Sequence, residues 1–172
     1  TIIKRSDGLL RFTETYRNLS KIQKATKSEV LLVELFEHVQ QLLQPTLDKK
    51  SITLDVILRD PFLTLQADTS LLEQVLINLV LNAIDAVKES PQPAITLSGE
   101  LTAQQKIVLK VADNGTGIPP EVLDKIFIPF FSTKKTGSGI GLSLCKQVMV
   151  LHKGQVQVQS VPGAGTVFSL VF

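Results

Sequence analysis

The chain has 172 residues, of which 44% are hydrophobic and 20% are charged, so it can bury a core and does not have the composition of a disordered protein. Its 18 basic and 16 acidic side chains nearly cancel, at a net charge of +2, which argues against a nucleic-acid partner. Cys145, His38 and His152 are too few and too scattered in the sequence for a structural zinc site, and a lone cysteine suits a reducing cytoplasm.

No apolar run approaches the roughly 20 residues that cross a bilayer, and the first residues show no secretion signal. We therefore expect no membrane contact by this chain. It begins at Thr1 rather than at a methionine, so we expect it to be part of a longer protein.

The first half of the chain begins with two predicted helices. In GLLRFTETYRNLSKIQ, apolar residues recur at helical spacing, which predicts an amphipathic helix over residues 8–23. A second helix is predicted from Val33 to Lys50, broken or kinked near Pro45 because proline lacks the N–H that the helical ladder needs. The alternating stretch SITLDVIL then predicts a strand, and LTLQA predicts its neighbour in the sheet.

The second half begins with a long helix, capped by Asp68 or Ser70 and ending near Lys88. The later predicted elements are strands over 94–101 and 106–112, a short helix over 121–126, a helix over 140–152, and strands over 154–161 and 165–172. Helices mixed with hairpins in this way predict an α+β fold in which one face of the sheet carries the helices.

The long helix carries one polar stripe on an otherwise apolar surface. At about 100° per residue, the polar side chains that share an arc of roughly 80° are Gln74, Asn78, Asn82 and Asp85. The stripe can simply face water. Asparagine is a mediocre helix former, however, so two of them in one stripe favour contact with a polar ligand. The amide oxygen of Asn82 suits Mg²⁺, whose shell phosphate oxygens and water would complete.

The stretch DNGTGIP places Asp113 in a glycine loop. Glycine has no Cβ, so a flat or anionic group can approach the backbone of such a loop closely. A carboxylate at that place repels phosphate. The loop is therefore either an ordinary turn or the binding site of a ligand that offers a hydrogen-bond donor.

A second glycine-rich stretch, GSGIGLSLC, lies where an irregular segment enters the helix over 140–152. Unpaired N–H groups and the helix dipole suit phosphate there, although close packing would also explain the glycines, and the spacing differs from the P-loop and dinucleotide fingerprints. The preceding stretch IFIPFFSTKK is aromatic and then basic. It fits either buried aromatic residues or a movable cover that points a lysine at phosphate.

Four motifs in this order, NLVLNAIDA, DNGTGIP, IFIPFFSTK and GSGIGL, resemble the N, G1, F and G2 boxes of the GHKL superfamily. The resemblance is specifically to the catalytic and ATP-binding domain of sensor histidine kinases, and it extends from about Glu29 to Phe172. It implies a GHKL-type α/β sandwich, with a mixed sheet of about five strands covered on one face by about three helices and preceded by a long N-terminal helix.

The resemblance implies ATP and Mg²⁺ as cofactors. It makes Asn82 the Mg²⁺ ligand and Asn78 its polar companion, and Asp113 the acceptor for the exocyclic amine of adenine. The glycines that would let the base lie close are Gly115 and Gly117, and those that would serve the phosphates and the lid are Gly137, Gly139 and Gly141. The further nucleotide-binding residues that it implies are Asp85, Ile118, Phe131, Thr133, Lys134, Ser138, Ile140 and Leu142. The implied catalytic residues are Asn78, Asn82 and Lys134.

Within the superfamily, the resemblance favours a protein-histidine kinase. In gyrase-like and MutL-like ATPases, the position four residues before the magnesium asparagine is a glutamate that activates water, whereas here it is Asn78. An amide cannot act as a base at neutral pH, so we expect transfer of the γ-phosphoryl group rather than hydrolysis. The alternatives are a GHKL-type ATPase and a nucleotide-binding pseudokinase or dimerisation module.

The N-terminal stretch resembles the second helix of the dimerisation and phosphoacceptor hairpin of these kinases. The implied division is residues 1–27 for this helix and 28–172 for the catalytic domain, and the helix with the acceptor histidine is not in this chain. The implied partners are that hairpin and a response regulator, with a homodimer in the intact protein. We expect a cytoplasmic protein, or the cytoplasmic part of a membrane-bound sensor.

Neither histidine of the chain fits the usual acceptor box. His38 precedes Val39 and lacks the acid and the downstream proline of that box, so we expect a surface or interface residue. His152 ends a predicted helix, where a cation would suit the helix dipole, and we expect it to cap that helix. We interpret Cys145 as a small, buried apolar residue.

Overall fold

A computed structural model describes residues 24–134 and 137–172. The elements in these residues are β1 (Ser28–Leu31), α1 (Leu32–Lys49), β2 (Thr53–Leu58), β3 (Thr64–Ala67), α2 (Thr69–Ala86), β4 (Ala94–Leu101), β5 (Ile107–Asp113), α3 (Pro120–Leu123), α4 (Gly141–Leu151), β6 (Gln155–Val161) and β7 (Gly165–Val171). The helix predicted over residues 8–23 lies outside the described residues.

Five strands form one mixed sheet in the order β2-β4-β5-β7-β6. β2 and β4 are parallel, and the other neighbouring strands are antiparallel. The long connection between the parallel strands contains α2, as a parallel crossover requires. The register places Asp113, at the end of β5, between Ile95 of β4 and Thr166 of β7. The predicted α+β class and mixed sheet of five strands are confirmed.

The strand partner predicted for β2 is wrong. LTLQA forms β3, which pairs with β1 in a separate two-stranded antiparallel sheet, whereas β2 pairs with β4. The strand β1 was not predicted, because its four residues are too few to display a clear alternation. Pairing between strands is decided by packing against neighbouring elements rather than by the strand's own residues.

Three helices cover one face of the five-stranded sheet. α2 lies in the middle, packed against α1, α4 and the strands β4, β5 and β7. The side chains that β4 turns toward the helices, including Ile95 and Leu97, are fully buried, and they join the helices in one hydrophobic core. The predicted helical layer is confirmed, with the four-residue α3 as an additional short helix. Across residues 24–134 and 137–172, no helix is long and apolar enough to cross a membrane.

The break predicted at Pro45 does not occur, because α1 continues through Pro45 to Lys49. Proline removes one hydrogen bond to the carbonyl of the residue four positions earlier, which is Gln41. Both Pro45 and Gln41 are exposed, so water can reach that carbonyl group. The buried face of α1, which includes Phe36 and Leu47, keeps its packing.

The N-terminus of α2 and the C-terminus of α4 meet at two predicted caps. Asp68, rather than Ser70, is the N-cap of α2, and its side chain accepts a hydrogen bond from the N–H of Leu71. His152 follows α4 as predicted, but its ring is buried and neutral rather than a cation. Its Nε2 accepts a hydrogen bond from the backbone N–H of Asp68, and because that N–H group can only donate, Nε2 carries no proton. The proton of the ring is therefore on Nδ1, which lies 2.8 Å from the carbonyl oxygen of Val148.

Candidate functional site

The polar stripe of α2 lies on a helix that is buried on most of its other sides, as predicted. Seven of its apolar residues are buried, whereas Asn78 and Asn82 are half-buried and Gln74 and Asp85 are exposed. The half-buried asparagines mark the part of the stripe that other elements approach.

Lys134 reaches the stripe from the loop that precedes α4. Its ammonium group donates hydrogen bonds to Asn82 Oδ1 at 3.2 Å and to Asp85 Oδ2 at 2.7 Å. The structure thus brings together three residues that came from two separate sequence motifs. An amide oxygen and a carboxylate oxygen converge on one cation, which is the arrangement of oxygen ligands that a hard metal ion also takes.

The N-terminus of α4 approaches the same stripe at Asn78. A Cβ built on Gly141, the first residue of α4, would lie 3.6 Å from Asn78 Oδ1, so no side chain separates the helix start from the asparagine. The first N–H groups of a helix have no partner within it and attract anions. The stripe is therefore next to a place suited to phosphate.

The first glycine loop is fixed against the C-terminal end of α2. A Cβ on Gly115 would collide with the carbonyl group of Ala86, and Thr116 N–H donates to that carbonyl oxygen at 3.2 Å. On the side of the sheet, the Asn114 side chain accepts the N–H of Ala94 at 2.9 Å. Glycine at position 115 is thus required by the contact between loop and helix.

The carboxylate of Asp113 has two backbone partners and a raised pKa. It accepts hydrogen bonds from the N–H of Gly115, at 2.9 Å, and from the N–H of Thr166. Burial raises the pKa of Asp113 above its ordinary value of 3.8, although the two N–H groups act in the opposite direction. A carboxylate has about four acceptor positions, so beyond these two hydrogen bonds it can accept another from a donor group of a ligand.

The aromatic segment before α4 is only partly buried. Phe127 is half-buried and packs edge to face on Phe168, with ring centroids 6.5 Å apart, while Phe130 is 48% exposed. Phe130 has a positive φ of 67°, and its N–H bonds to the carbonyl oxygen of Gly139 at 2.9 Å. Gly139 also has a positive φ, 68°, and a Cβ there would collide with the backbone of Phe130. The alternative of a wholly buried aromatic cluster does not hold.

The remaining predicted residues lie around these groups without meeting at one point. Phe131 bonds through its N–H to the carbonyl oxygen of Ile128, and Ser138 Oγ accepts the N–H of Ile140. Leu142 packs against the core, and Thr133 is exposed. The other glycine of this stretch, Gly137, is exposed as well. Ile118 and Gly117 contact β6 and the turn after it.

The sequence interpretation missed a contribution from the last hairpin. Thr166, on β7, is buried and its backbone N–H reaches Asp113, while Ser160, on β6, binds the N–H of Ile118. A pattern that could have indicated them is PGAGT, a third glycine-containing turn, which lies between the last two strands.

His38 lies on the exposed surface of α1, as predicted. Its Nδ1 is 3.2 Å from the Glu73 carboxylate, and 62% of its side chain is accessible. Cys145 is fully buried between α4 and α2, with its thiol 3.8 Å from the carbonyl oxygen of Val75, which confirms the interpretation as a small core residue. Among the described residues, no three His, Cys, Asp or Glu side chains are grouped to hold a metal ion.

Residues 67–172 match the family described as histidine kinase-, DNA gyrase B- and HSP90-like ATPases. The sensor histidine kinase ZraS of Salmonella typhi is 33% identical over 167 residues, which are 97% of this chain and 36% of ZraS. The chain thus spans about a third of the length of this curated relative.

Solved histidine kinase structures share the fold. The nucleotide-free catalytic domain of the histidine kinase ThkA matches with a TM-score of 0.77 and 33% identity, over 86% of this chain and 95% of that domain. ThkA in complex with the response regulator TrrA matches with a TM-score of 0.82 and 29% identity, over 99% of this chain and 48% of that one. From the matched family and the shared fold, the chain belongs to the histidine kinase-, DNA gyrase B- and HSP90-like ATPase family, with the fold of a histidine kinase catalytic domain.

Proposed function

We propose that this chain transfers the γ-phosphoryl group of Mg-ATP to a histidine on a helical hairpin of the same sensor protein. Residues 28–172 form the catalytic domain, and residues 1–27 supply the second helix of the hairpin, of which residues 24–27 lie outside any helix. The intact protein is a homodimer whose phosphohistidine supplies a response regulator. The catalytic domain works in the cytoplasm, on its own or as the inner part of a membrane-bound sensor.

The observation that carries this proposal is the convergence of Asn82, Asp85 and Lys134. This cluster lies on the helix that Gly141 approaches at one point and Gly115 at another. Phosphate therefore has a cationic side chain and a helix N-terminus within one region, while the carboxylate of Asp113 is on the side of the first glycine loop. In this proposal, the Asp113 carboxylate accepts a hydrogen bond from the exocyclic amine of adenine, and the triphosphate extends toward Lys134.

The oxygen atoms near Lys134 fit magnesium as well as an ammonium group. Asn82 Oδ1 and Asp85 Oδ2 already share one cation, the ammonium group of Lys134. Asn82 would be the direct ligand and phosphate oxygens would complete the shell. When bound, the ion neutralises charge on the β- and γ-phosphates. Lys134 leaves the two oxygens and contacts the phosphates.

The residue opposite Gly141 separates transfer from hydrolysis. Asn78 holds the position where a hydrolysing relative has a glutamate, and an amide is too weak a base to take a proton at neutral pH. Water is therefore poorly activated, whereas an imidazole brings its own lone pair. In the transfer, the bond between the γ-phosphorus and the β,γ-bridging oxygen breaks, a phosphorus–nitrogen bond forms, and ADP leaves with the bridging oxygen. The imidazole loses its proton to solvent.

A response regulator is proposed as the partner because ThkA, a relative of the same fold, is described in complex with one. The likeness covers 99% of this chain, so the part of ThkA that resembles this chain is present in that complex.

The test is phosphoryl transfer from ATP labelled at the γ-phosphate to a hairpin cloned from the intact protein. The chain alone should release little phosphate and should not label itself, and addition of the hairpin should produce acid-labile phosphohistidine on the hairpin. A hairpin in which the acceptor histidine is replaced by glutamine is the control and should stay unlabelled.

Two results would contradict the proposal. Rapid phosphate release without the hairpin would favour the GHKL-type ATPase. Tight ATP binding without any transfer to the hairpin would favour the nucleotide-binding or dimerisation module.

A further inference from the structure

The hairpin of β6 and β7 holds the first glycine loop at three points. The N–H of Gly163, in the turn of the hairpin, donates to the carbonyl oxygen of Thr116 at 2.7 Å. The N–H of Ile118 donates to Ser160 Oγ at 2.7 Å, and the N–H of Thr166 donates to the carboxylate of Asp113. The loop is thus held at its start, its middle and its end by one hairpin.

The side-chain hydroxyl group of Ser160 lies at the centre of these contacts. It donates to the carbonyl oxygen of Gly165 at 3.0 Å, accepts the N–H of Ile118, and lies 2.9 Å from the hydroxyl oxygen of Thr166. Because its single proton is directed to Gly165, the Thr166 hydroxyl must be the donor in the last contact. Ser160 then makes one donated and two accepted hydrogen bonds, which is its full capacity.

The contacts of Ser160 lead directly to Asp113. Gly165 and Thr166 are the first residues of β7, and the register of the sheet pairs Thr166 with Asp113. Thr166 is buried, and Gly165 is so close to the carbonyl oxygen of Asp113 that a Cβ would collide with it. A change at Ser160 therefore reaches the carboxylate through Thr166 on one side and through Ile118 and the loop on the other.

Packing leaves the loop little room to compensate. Gly117 has a positive φ of 71°, and the carbonyl group of Val161 occupies the place where its side chain would be. Without the Ser160 hydroxyl, the half-buried N–H of Ile118 loses its acceptor, and the loop must shift to reach water.

We propose that Ser160 is a positioning residue for adenine recognition, which sets the Asp113 carboxylate and the first glycine loop for the base. The inference rests on the proposed function, because it assumes that Asp113 accepts the adenine amine. It assigns to β6 a part in nucleotide specificity that neither the glycine loops nor α2 supply.

The experiment measures binding of ADP and GDP to this chain by calorimetry, and stability by urea unfolding. The variants are Ser160→Ala, Ser160→Thr and Asp113→Asn, with Val158→Ala as control. Val158 is on the same strand and packs on the core, so its truncation weakens β6 without removing a contact to the loop. If Ser160→Ala does not fold, Ser160→Cys, whose thiol accepts hydrogen bonds poorly, replaces it.

Ser160→Ala should weaken ADP binding by about three- to tenfold and lower the preference for ADP over GDP, since the hydrogen bonds that the hydroxyl group makes with Ile118, Gly165 and Thr166 are all lost. Ser160→Thr, which keeps the hydroxyl group, should retain the wild-type ADP affinity and the preference for ADP over GDP. Val158→Ala should lower stability while leaving the ADP affinity within about twofold of the wild type. An ADP affinity unchanged in Ser160→Ala, with a clear loss in Asp113→Asn, would overturn this inference alone. Unchanged affinity in both variants would overturn the adenine assignment and the inference together.

Discussion

His152 Nε2 lies 2.9 Å from the backbone nitrogen of Asp68, and this hydrogen bond joins the end of α4 to the start of α2. The two helices run antiparallel, because Gly141, the first residue of α4, lies beside Asn78, which is farther along α2. The chain that enters from the N-terminal side is attached at the same junction, where the N–H of Thr26 donates to the Asp68 carboxylate. The pair of helices that carries the phosphate side of the site is thus fixed at the end remote from it.

The first prediction tests this junction. His152→Phe keeps an aromatic ring that can pack on Phe172, but it leaves the N–H of Asp68 and the carbonyl oxygen of Val148 without their partner. We expect the free energy of unfolding to fall by about 1–3 kcal/mol in urea titrations. The other histidine gives the control, since exposed His38→Phe should change stability by less than about 0.5 kcal/mol. Equal effects of the two substitutions would contradict the structural role of His152.

The second prediction separates the role of Asn82 from folding. Asn82→Ala should abolish transfer to the hairpin and most of the magnesium dependence of ATP binding. The melting temperature should change little, because alanine is the better helix former and the bond from Lys134 is exposed. A variant that melts much earlier but keeps magnesium-dependent binding would instead make Asn82 a structural residue.

Lys134 gives a third prediction, which concerns phosphate rather than the base. Lys134→Gln removes the cation that now bridges Asn82 and Asp85, so ATP binding should weaken more than AMP binding. Stability should stay within about 0.5 kcal/mol, since the ion pair with Asp85 is exposed on both sides. Calorimetry with the two nucleotides measures the difference, and Lys146→Gln, at an exposed position of α4, is the control. Equal losses for ATP and AMP would contradict the assignment.

The raised pKa of Asp113 predicts how stability depends on pH. Its folded-state pKa lies above 3.8, so the folded state holds the proton more tightly than the unfolded state does. The resulting stabilisation is fully present below 3.8 and is lost as pH rises through the folded-state pKa. The stability of the wild type minus that of Asp113→Asn should therefore decrease as pH rises from 3.8 toward neutrality. Urea unfolding at a series of pH values measures it, and an increase over that range would contradict the direction.

Cys145 predicts the reactivity of the chain toward thiol reagents. Burial raises the pKa of its thiol to about 12, so at neutral pH the group is both protonated and covered by α2 and α4. A disulfide reagent should label the native chain slowly and the urea-unfolded chain at once, with one thiol per chain. Added ADP should slow labelling of the native chain further, because a ligand that binds only the folded state makes the opening that exposes Cys145 rarer. Fast labelling of the native chain would contradict the packing of α4 on α2.

Helical periodicity and glycine spacing were sufficient to predict much of the site. Asn78, Asn82 and Asp85 lie on one face of α2 because residues three and four apart do so in any α-helix. The acid of the first loop lies at the end of β5 because the alternating strand ends there. These features depend on neighbours in the chain, and local sequence determines them.

Contacts between distant segments came only from the tertiary structure. The pairing of β3 with β1, the reach of Lys134 to Asn82, and the bond from Ile118 to Ser160 join residues that no local pattern relates. His152 shows the physical reason most clearly. Its sequence position at a helix end suggested a cation, whereas the N–H of Asp68, brought there by the packing of α2 against α4, requires a neutral ring. The sequence by itself determined which residues line each element, and packing decided which partners, and therefore which protonation state, they have.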